Sequence, residues 1–148
     1  FLICRFLAGE IGQEYQKRVN DNPDLEYNDI ADLLKLVSQV VPYFVKSNAE
    51  PEAIDLLLEV ERLENIVPHC DKSNYGRVCL YLTSASKYFL DPDNVNMLKL
   101  VHQILIKLEK YPEALRTAIT LNDQALIEQT FTTCSDKFVS TNFCFSFD

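Results

Sequence analysis

The sequence contains few of the residues on which enzyme and ligand-binding motifs depend. It has three Gly, two His and no Trp in 148 residues. So few glycines argue against turn-rich β folds and against a glycine-rich phosphate-binding loop. No GxSxG segment is present to place a serine nucleophile. We therefore predict no catalytic residue, no cofactor, no cofactor-binding residue and no metal ligand, and we expect the protein not to be an enzyme.

Basic charge is also scarce. Fourteen Lys and Arg residues face 22 Asp and Glu residues, which gives a formal net charge of -8. This balance disfavours nucleic acid and anionic membrane as partners. The apolar opening, FLICRFLA, is much shorter than the ~20 residues that a membrane-spanning helix needs. Since 47% of the residues are hydrophobic and 24% charged, the composition is that of a globular protein.

The cysteines and histidines could in principle form a reactive or metal-binding site. The five cysteines form no CxxC pair, and they are Cys4, Cys70, Cys79, Cys134 and Cys144. Free, buried cysteines in a reducing compartment are favoured over a disulfide framework. His69 and Cys70 precede Asp71, but side chains adjacent in sequence usually point apart, so we favour a helix-end turn over a site. His102 lies in an apolar helix and is interpreted as a histidine at the edge of the core.

Hydrophobic residues recur with a helical period along most of the chain. The clearest stripe is Ile30, Leu33, Leu34, Val37, Val40, Val41, Phe44 and Val45. Pro42 lies inside this stripe, so a kink or a break near Ser38 is expected. Gly9 and Gly12, in the first predicted helix, are candidates for close contact between helices. In all, the pattern predicts an all-α fold of about eight helices joined by short connections.

Two segments begin in the same way. In 48–64, NAEPEAIDLLLEVERLE, Asn48 is the predicted N-cap and Pro51 belongs to the first helical turn. A similar start recurs in 111–123, YPEALRTAITLND, and in each an Ala after Pro-Glu leaves room for a neighbouring helix. Two helices that start alike indicate an α-solenoid-like array of antiparallel helix pairs. We expect one such domain over 1–148, with residues 134–148 either helical or disordered and the last of them, 137–148, disordered or truncated.

Two surfaces could bind a partner. The first is an acidic run that consists of Glu50, Glu52, Asp55, Glu59, Glu61 and Glu64. It could present a negative face to a basic partner, although a solvated helix face is the favoured interpretation. The second is a group of aromatic residues, Tyr81, Tyr88 and Phe89, which could form a groove for a partner helix. Here core packing or repeat stacking is favoured.

Five segments also occur, in the same order, in one known family. They are LAGEIGQEY at 7–15, NAEPEAIDLLLEVERLE at 48–64, VCLYLTSASKYF at 78–89, YPEALRTAITLND at 111–123 and FTTCSD at 131–136. Together they resemble the amino-terminal helical region of the large non-ATPase scaffold subunit of the proteasome regulatory particle base. AGEIGQEYQKR is most similar to plant-type members. The resemblance covers nearly the whole chain, which is interpreted as a fragment of that subunit.

The resemblance implies an α-solenoid segment that precedes a toroid of proteasome/cyclosome repeats. It also implies a non-catalytic scaffold in the cytoplasm and nucleus. This scaffold would stand beside the ATPase ring, with proteasomal ATPases and other base subunits as partners, and would present ubiquitinated substrates and ubiquitin-like shuttle factors. In the family the ubiquitin and shuttle-factor sites lie in the toroid, so no receptor residue is assigned to any position here.

An unrelated helical-repeat adaptor, of the tetratricopeptide or clathrin-repeat type, is the alternative. It would require a fixed period of ~34 residues or similar. The Pro-Glu-Ala phrase recurs once only, at about twice that spacing, so support for this alternative is thin. An enzyme that uses His69 and Cys70 is the third and least favoured hypothesis.

Overall fold

The computed structural model describes residues 2–22 and 27–138, without the side chains of residues 27, 28 and 135–138. These residues form seven α-helices and two 3-10 helices and contain no strand. Helices α1 to α7 span Leu2–Asp21, Tyr27–Lys46, Glu50–Glu59, Tyr75–Ala85, Asp93–Lys107, Tyr111–Leu121 and Gln124–Phe138. The 3-10 helices are Leu63–His69 and Ser86–Tyr88. The all-α prediction is confirmed, while residues 139–148, including Cys144, lie outside the described residues.

The chain divides after Ser84 into two compact units. In the first, α1, α2 and α3 contact one another, and the first 3-10 helix packs against α2 and α3. In the second, α5 contacts α6, α6 contacts α7, and the second 3-10 helix packs on α5. Packing between neighbours in sequence is the solenoid-like arrangement of helix pairs that the sequence predicts. A single domain over 1–148 stays a prediction.

The two units share a helix–turn–helix module, α2–α3 in the first and α5–α6 in the second. The turn after each first helix contains a left-handed residue, Asn48 with φ 55° and Glu109 with φ 62°. The N–H of the residue after it donates to the carbonyl five positions earlier in both turns. These bonds run from Ala49 to Phe44 and from Lys110 to Leu105, each at 2.9 Å. The following helix then begins with Pro51 or Pro112 in its first turn. The similar starts seen in the sequence thus mark a repeated structure.

The second helix of each module also ends in the same way. Glu61, with φ 53°, follows α3, and Asn122, with φ 52°, follows α6. Asn48 and Glu109 are separated by the same number of residues as Glu61 and Asn122. The two modules are therefore related by one constant offset in sequence. The predicted small contact residues, Ala53 and Ala114, are fully buried. Their lack of side-chain bulk allows a neighbouring helix to approach closely.

Asn48 does not cap α3, contrary to the prediction. The N-cap residue is Ala49, and no side chain forms a cap hydrogen bond there. Asn is a common N-cap, but it also tolerates the left-handed conformation better than most residues, and the turn uses that property. The amide side chain is therefore available for another contact, described below.

Helix α2 continues through Pro42 to Lys46. A break near Ser38 is therefore wrong, even though a proline inside a helix removes one hydrogen bond and costs ~3 kcal/mol. Val40, Val41 and Phe44, which surround the proline in sequence, are buried. Because burying each such side chain stabilises the fold by ~1.5–3 kcal/mol, packing outweighs the local cost.

The two glycines of α1 differ in their surroundings. A Cβ at Gly12 would overlap the Glu59 carboxylate of α3, whereas a Cβ at Gly9 would have no atom within 4 Å. Close helix contact is thus confirmed at Gly12 and wrong at Gly9. Glu59 reaches across Gly12 because this position has no side chain.

We predict that Gly9→Ala stabilises the chain by ~1 kcal/mol, because alanine has the higher helix propensity and the site has room. Gly12→Ala has the same propensity gain, but it must displace the Glu59 carboxylate and should therefore stabilise less. Urea unfolding followed by circular dichroism measures both. Equal gains would contradict the close contact between Gly12 and Glu59.

Candidate functional site

Helix α3 carries most of the predicted acidic face, and its first residue is not on the surface. Glu50 is 1% exposed. On α4, Arg77 Nε donates to Glu50 Oε1 at 3.1 Å, and Arg77 Nη2 donates to the same oxygen. Nη2 also donates to Asn48 Oδ1 at 3.0 Å. A solvated Glu50 is therefore wrong. Arg77 supplies the opposite charge and two hydrogen bonds to Oε1, while the buried Oε2 accepts no hydrogen bond within the described residues.

A second polar contact joins the same two helices. The Tyr81 hydroxyl on α4 donates to Asp55 Oδ1 on α3 at 2.5 Å. This hydrogen bond, with a smaller effect of burial, raises the pKa of Tyr81 to about 12. Tyr81 lies four residues after Arg77, so both side chains project from one face of α4. The bond with Glu50 likewise raises the pKa of the Arg77 guanidinium.

The rest of the acidic run is divided between contacts and solvent. Glu52 Oε1 lies 3.8 Å from Arg5 Nε on α1. Glu59, Glu61 and Glu64 are exposed. Partial burial, together with the charge of Asp55, raises the pKa of the Glu59 carboxyl. Asp55, Glu59, Glu61 and Glu64 therefore have the exposure that the sequence suggested, whereas Glu50 is buried and Glu52 is half-buried.

The His69–Cys70 pair forms the predicted helix end. His69 is the last residue of the first 3-10 helix, and its carbonyl accepts a hydrogen bond from Asn74 Nδ2 at 2.9 Å. Cys70 is buried, and its thiol donates to the Ile66 carbonyl at 3.4 Å. No cluster of three or more potential metal ligands occurs within residues 2–22 and 27–138.

Cys79 also lacks the features of a reactive cysteine. None of Cys4, Cys70, Cys79 and Cys134 forms a disulfide in the described part of the chain, and only Cys70 is buried. Burial raises the pKa of the Cys79 thiol to about 12. A reactive cysteine needs the opposite shift, because the thiolate is the nucleophile.

The sequence predicted His102 at the edge of the core, but the residue lies inside the core. It is 2% exposed, and its Nε2 lies 2.8 Å from Thr130 Oγ1 on α7. The Thr130 hydroxyl donates to the Leu126 carbonyl at 2.7 Å. Since that bond uses the hydroxyl hydrogen, Nε2 must be the protonated ring nitrogen. Burial lowers the pKa of His102, only partly opposed by Asp123, so the neutral ring is favoured.

The aromatic group does not form one groove. Tyr81 is half-buried and bonded to Asp55, whereas Tyr88 is 89% and Phe89 40% exposed. Core packing is therefore wrong for Tyr88.

Among the described helices none is long and apolar enough to cross a bilayer. The described part of the chain consists of packed helices with exposed apolar and acidic side chains. Such a surface is suited to binding protein.

The sequence comparison decides the family. A family model described as the RPN1 N-terminal domain matches residues 3–147. The chain belongs to this family. The match extends through both units and confirms the resemblance that the five segments indicate.

Curated relatives in the RPN1 N-terminal domain family carry proteasomal names. The chain is 43% identical over 141 residues to 26S proteasome non-ATPase regulatory subunit 2 homolog A of Arabidopsis thaliana, covering 95% of this chain and 15% of the relative. It is 48% identical over 127 residues to 26S proteasome non-ATPase regulatory subunit 2 of Dictyostelium discoideum, covering 86% and 14%. It is also 43% identical over 128 residues to 26S proteasome regulatory subunit rpn-1 of Neurospora crassa, again covering 86% and 14%. The chain thus spans about one-seventh of these relatives.

Arg77 and Thr130 were not singled out from the sequence, although each satisfies a buried polar side chain. In the sequence, Arg77 has the appearance of an ordinary surface charge. Its partner is 27 positions away, so no local pattern could reveal it. For Thr130 the weak signal is its position within the apolar stripe of α7.

We predict that Arg77→Met destabilises the chain, because it leaves the Glu50 carboxylate buried without its cation. Arg116→Met is the matched control, since Arg116 is exposed on α6 and forms no ion pair within the described residues. Thermal unfolding should show a lower Tm for Arg77→Met and little change for Arg116→Met. Equal Tm values for the two variants would show that the Glu50 pair has no structural role.

Thr130→Val should destabilise by ~1–3 kcal/mol, because the buried His102 Nε2–H loses its acceptor. Thr132→Val is the control, since the Thr132 hydroxyl also bonds to the carbonyl four residues earlier but is exposed. Both free energies of unfolding can be measured in urea. An equal cost for the two substitutions would refute the His102–Thr130 bond.

Proposed function

We propose that this chain is a non-catalytic scaffold segment of the proteasome regulatory particle base. The observation that carries the proposal is the family match over residues 3–147, together with proteasomal names on relatives 43–48% identical. The described residues add a physical argument. Helices that pack on their sequence neighbours leave long surfaces free for other proteins.

The finer proposal concerns position and partners. The segment would support assembly beside the ATPase ring, with proteasomal ATPases and other base subunits as direct partners. Ubiquitinated substrates and shuttle factors would be presented by the toroid of the whole subunit, which is not included in these 148 residues. The net charge of -8 supports protein partners over nucleic acid or anionic membrane.

The proposal also assigns a cellular location and a chemical role. Proteasomal scaffolds work where proteasomes work, so we infer that the chain is present in both cytoplasm and nucleus. The free cysteines of the described residues fit a reducing compartment. The role is binding and assembly, and the high pKa of Cys79 gives no support to thiol chemistry.

A helical-repeat adaptor unrelated to the proteasome remains the second candidate because the helix–turn–helix module is repeated. The module occurs twice in the described residues, and its offset is nearly twice the ~34 residues of a tetratricopeptide repeat. Family membership favours the proteasomal role over this candidate.

The test is affinity purification of the tagged gene product from its own cells at physiological salt, followed by mass spectrometry. We expect proteasomal ATPases and other base subunits to co-elute, and a tag-only sample to lack them. Imaging of the tagged chain should show it in both cytoplasm and nucleus. Recovery of the folded chain without any proteasomal subunit would overturn the proposed function.

A further inference from the structure

Three consecutive apolar side chains are exposed near the start of the second unit. Tyr88 is 89%, Phe89 40% and Leu90 85% exposed. Single exposed apolar residues are common on proteins and need no explanation. Three in succession, two of them aromatic, form an exposed apolar segment with the composition of interface hot spots, in which aromatic anchors are enriched.

The backbone of this segment is fixed at both ends. The Phe89 N–H donates to the Ser86 carbonyl at 3.3 Å, and Ser86 is only 5% exposed. On the other side, the N–H groups of Asp93 and Asn94 donate to the Leu90 carbonyl at 3.0 and 3.3 Å. The 3-10 helix that ends at Tyr88 also packs on α5. A partner would therefore meet side chains on an ordered backbone, which lowers the entropic cost of binding.

Acidic residues border the apolar segment. Asp91 and Asp93 follow it directly, and both are exposed. Neither forms a salt bridge within residues 2–22 and 27–138. Lys87 precedes the segment and is positively charged. The negative charge therefore borders the segment only on the side where α5 begins. Because carboxylates at the rim of an interface favour positive partners, this arrangement selects for Lys or Arg around the complementary pocket.

The repeated module shows that this segment departs from the local pattern. At the constant offset between the modules, Tyr88 corresponds to Tyr27, where α2 begins. Helix α5 begins only at Asp93. The second module thus has an exposed apolar segment in place of the first turns of a helix. Pro92, the N-cap residue of α5, sets this later start, because a proline disfavours helical backbone at the residue before it. The apolar side chains that precede it are thereby left outside the helix and exposed.

We propose that Tyr88–Leu90 is the docking contact between this chain and a neighbouring proteasomal subunit, and that it inserts into an apolar pocket rimmed by Lys or Arg side chains. This inference rests on the proposed function and names a surface for it. Tyr88 and Leu90 are the anchors because they are the most exposed. Asp91 and Asp93 orient the approaching partner because they attract the Lys or Arg side chains at the rim of its pocket.

The first experiment maps the contact by photo-crosslinking. Lys87→p-benzoylphenylalanine places the probe beside Tyr88 without altering the anchors, and Ile119→p-benzoylphenylalanine is the control at an exposed position on α6. The tagged variants are purified with their co-eluting proteasomal subunits, irradiated and analysed by mass spectrometry. We expect position 87 to crosslink to one proteasomal subunit at an apolar pocket bordered by Lys or Arg.

The second experiment measures the anchors and the rim. Tyr88→Ser combined with Leu90→Ser should reduce co-purified proteasomal subunits by at least ~10-fold, as expected for two hot-spot residues. Ile119→Ser, which removes an apolar side chain that is 60% exposed, should leave the yield unchanged. Asp91→Asn with Asp93→Asn should reduce the yield more than Glu64→Gln with Glu113→Gln, which removes the same charge elsewhere. Circular dichroism confirms that each variant is folded.

The outcomes separate this inference from the proposed function. If wild-type chain recovers no proteasomal subunit, the proposed function fails and the docking contact fails with it. If wild-type chain recovers them while the Tyr88 and Leu90 variant binds equally well, only the docking contact is overturned. A crosslink from position 87 to another segment of the same polypeptide, or to an acidic surface, would also overturn it.

Discussion

The burial of one carboxylate constrains how the first unit is built. Glu50 begins α3 at 1% exposure, so its charge must be met within the protein. Arg77 on α4 meets it and also bonds to the Asn48 side chain in the turn before α3. One guanidinium therefore connects the α2–α3 turn, the start of α3 and the first turn of α4. Tyr81 and Asp55 extend this connection by one further helical turn.

The left-handed turns are the second constraint, and they apply in both units. Asn48 and Glu109 end the first helix of each module, while Glu61 and Asn122 end the second. A left-handed residue terminates a helix and redirects the chain within a few residues, so the next helix must pack against the one before it. Repetition of this geometry explains how a helical array arises without long loops. It also makes the exposed Tyr88–Leu90 segment notable as a departure.

The sequence predicted the helical class, the proline starts and the buried alanines because these depend on local pattern. It misassigned Asn48, since the same side chain suits an N-cap and a left-handed turn, and only tertiary contact decides between them. Glu50 looked like its acidic neighbours because its cation is distant in sequence. A side chain at position 12 would meet Glu59, whereas one at position 9 would have open space, a difference that depends on where α3 lies. Such pairings between helices have no periodic signature, which is why these parts of the candidate site were missed.

The central claim is that the Glu50–Arg77 pair holds α4 against α3. Native-state hydrogen exchange on wild-type chain and Arg77→Met tests it most directly, because amides report local opening of each helix. We predict faster exchange for the amides of α4, with the amides of α6 retaining their wild-type rates under conditions where the variant stays folded. Unchanged protection of α4 in Arg77→Met would contradict the claim.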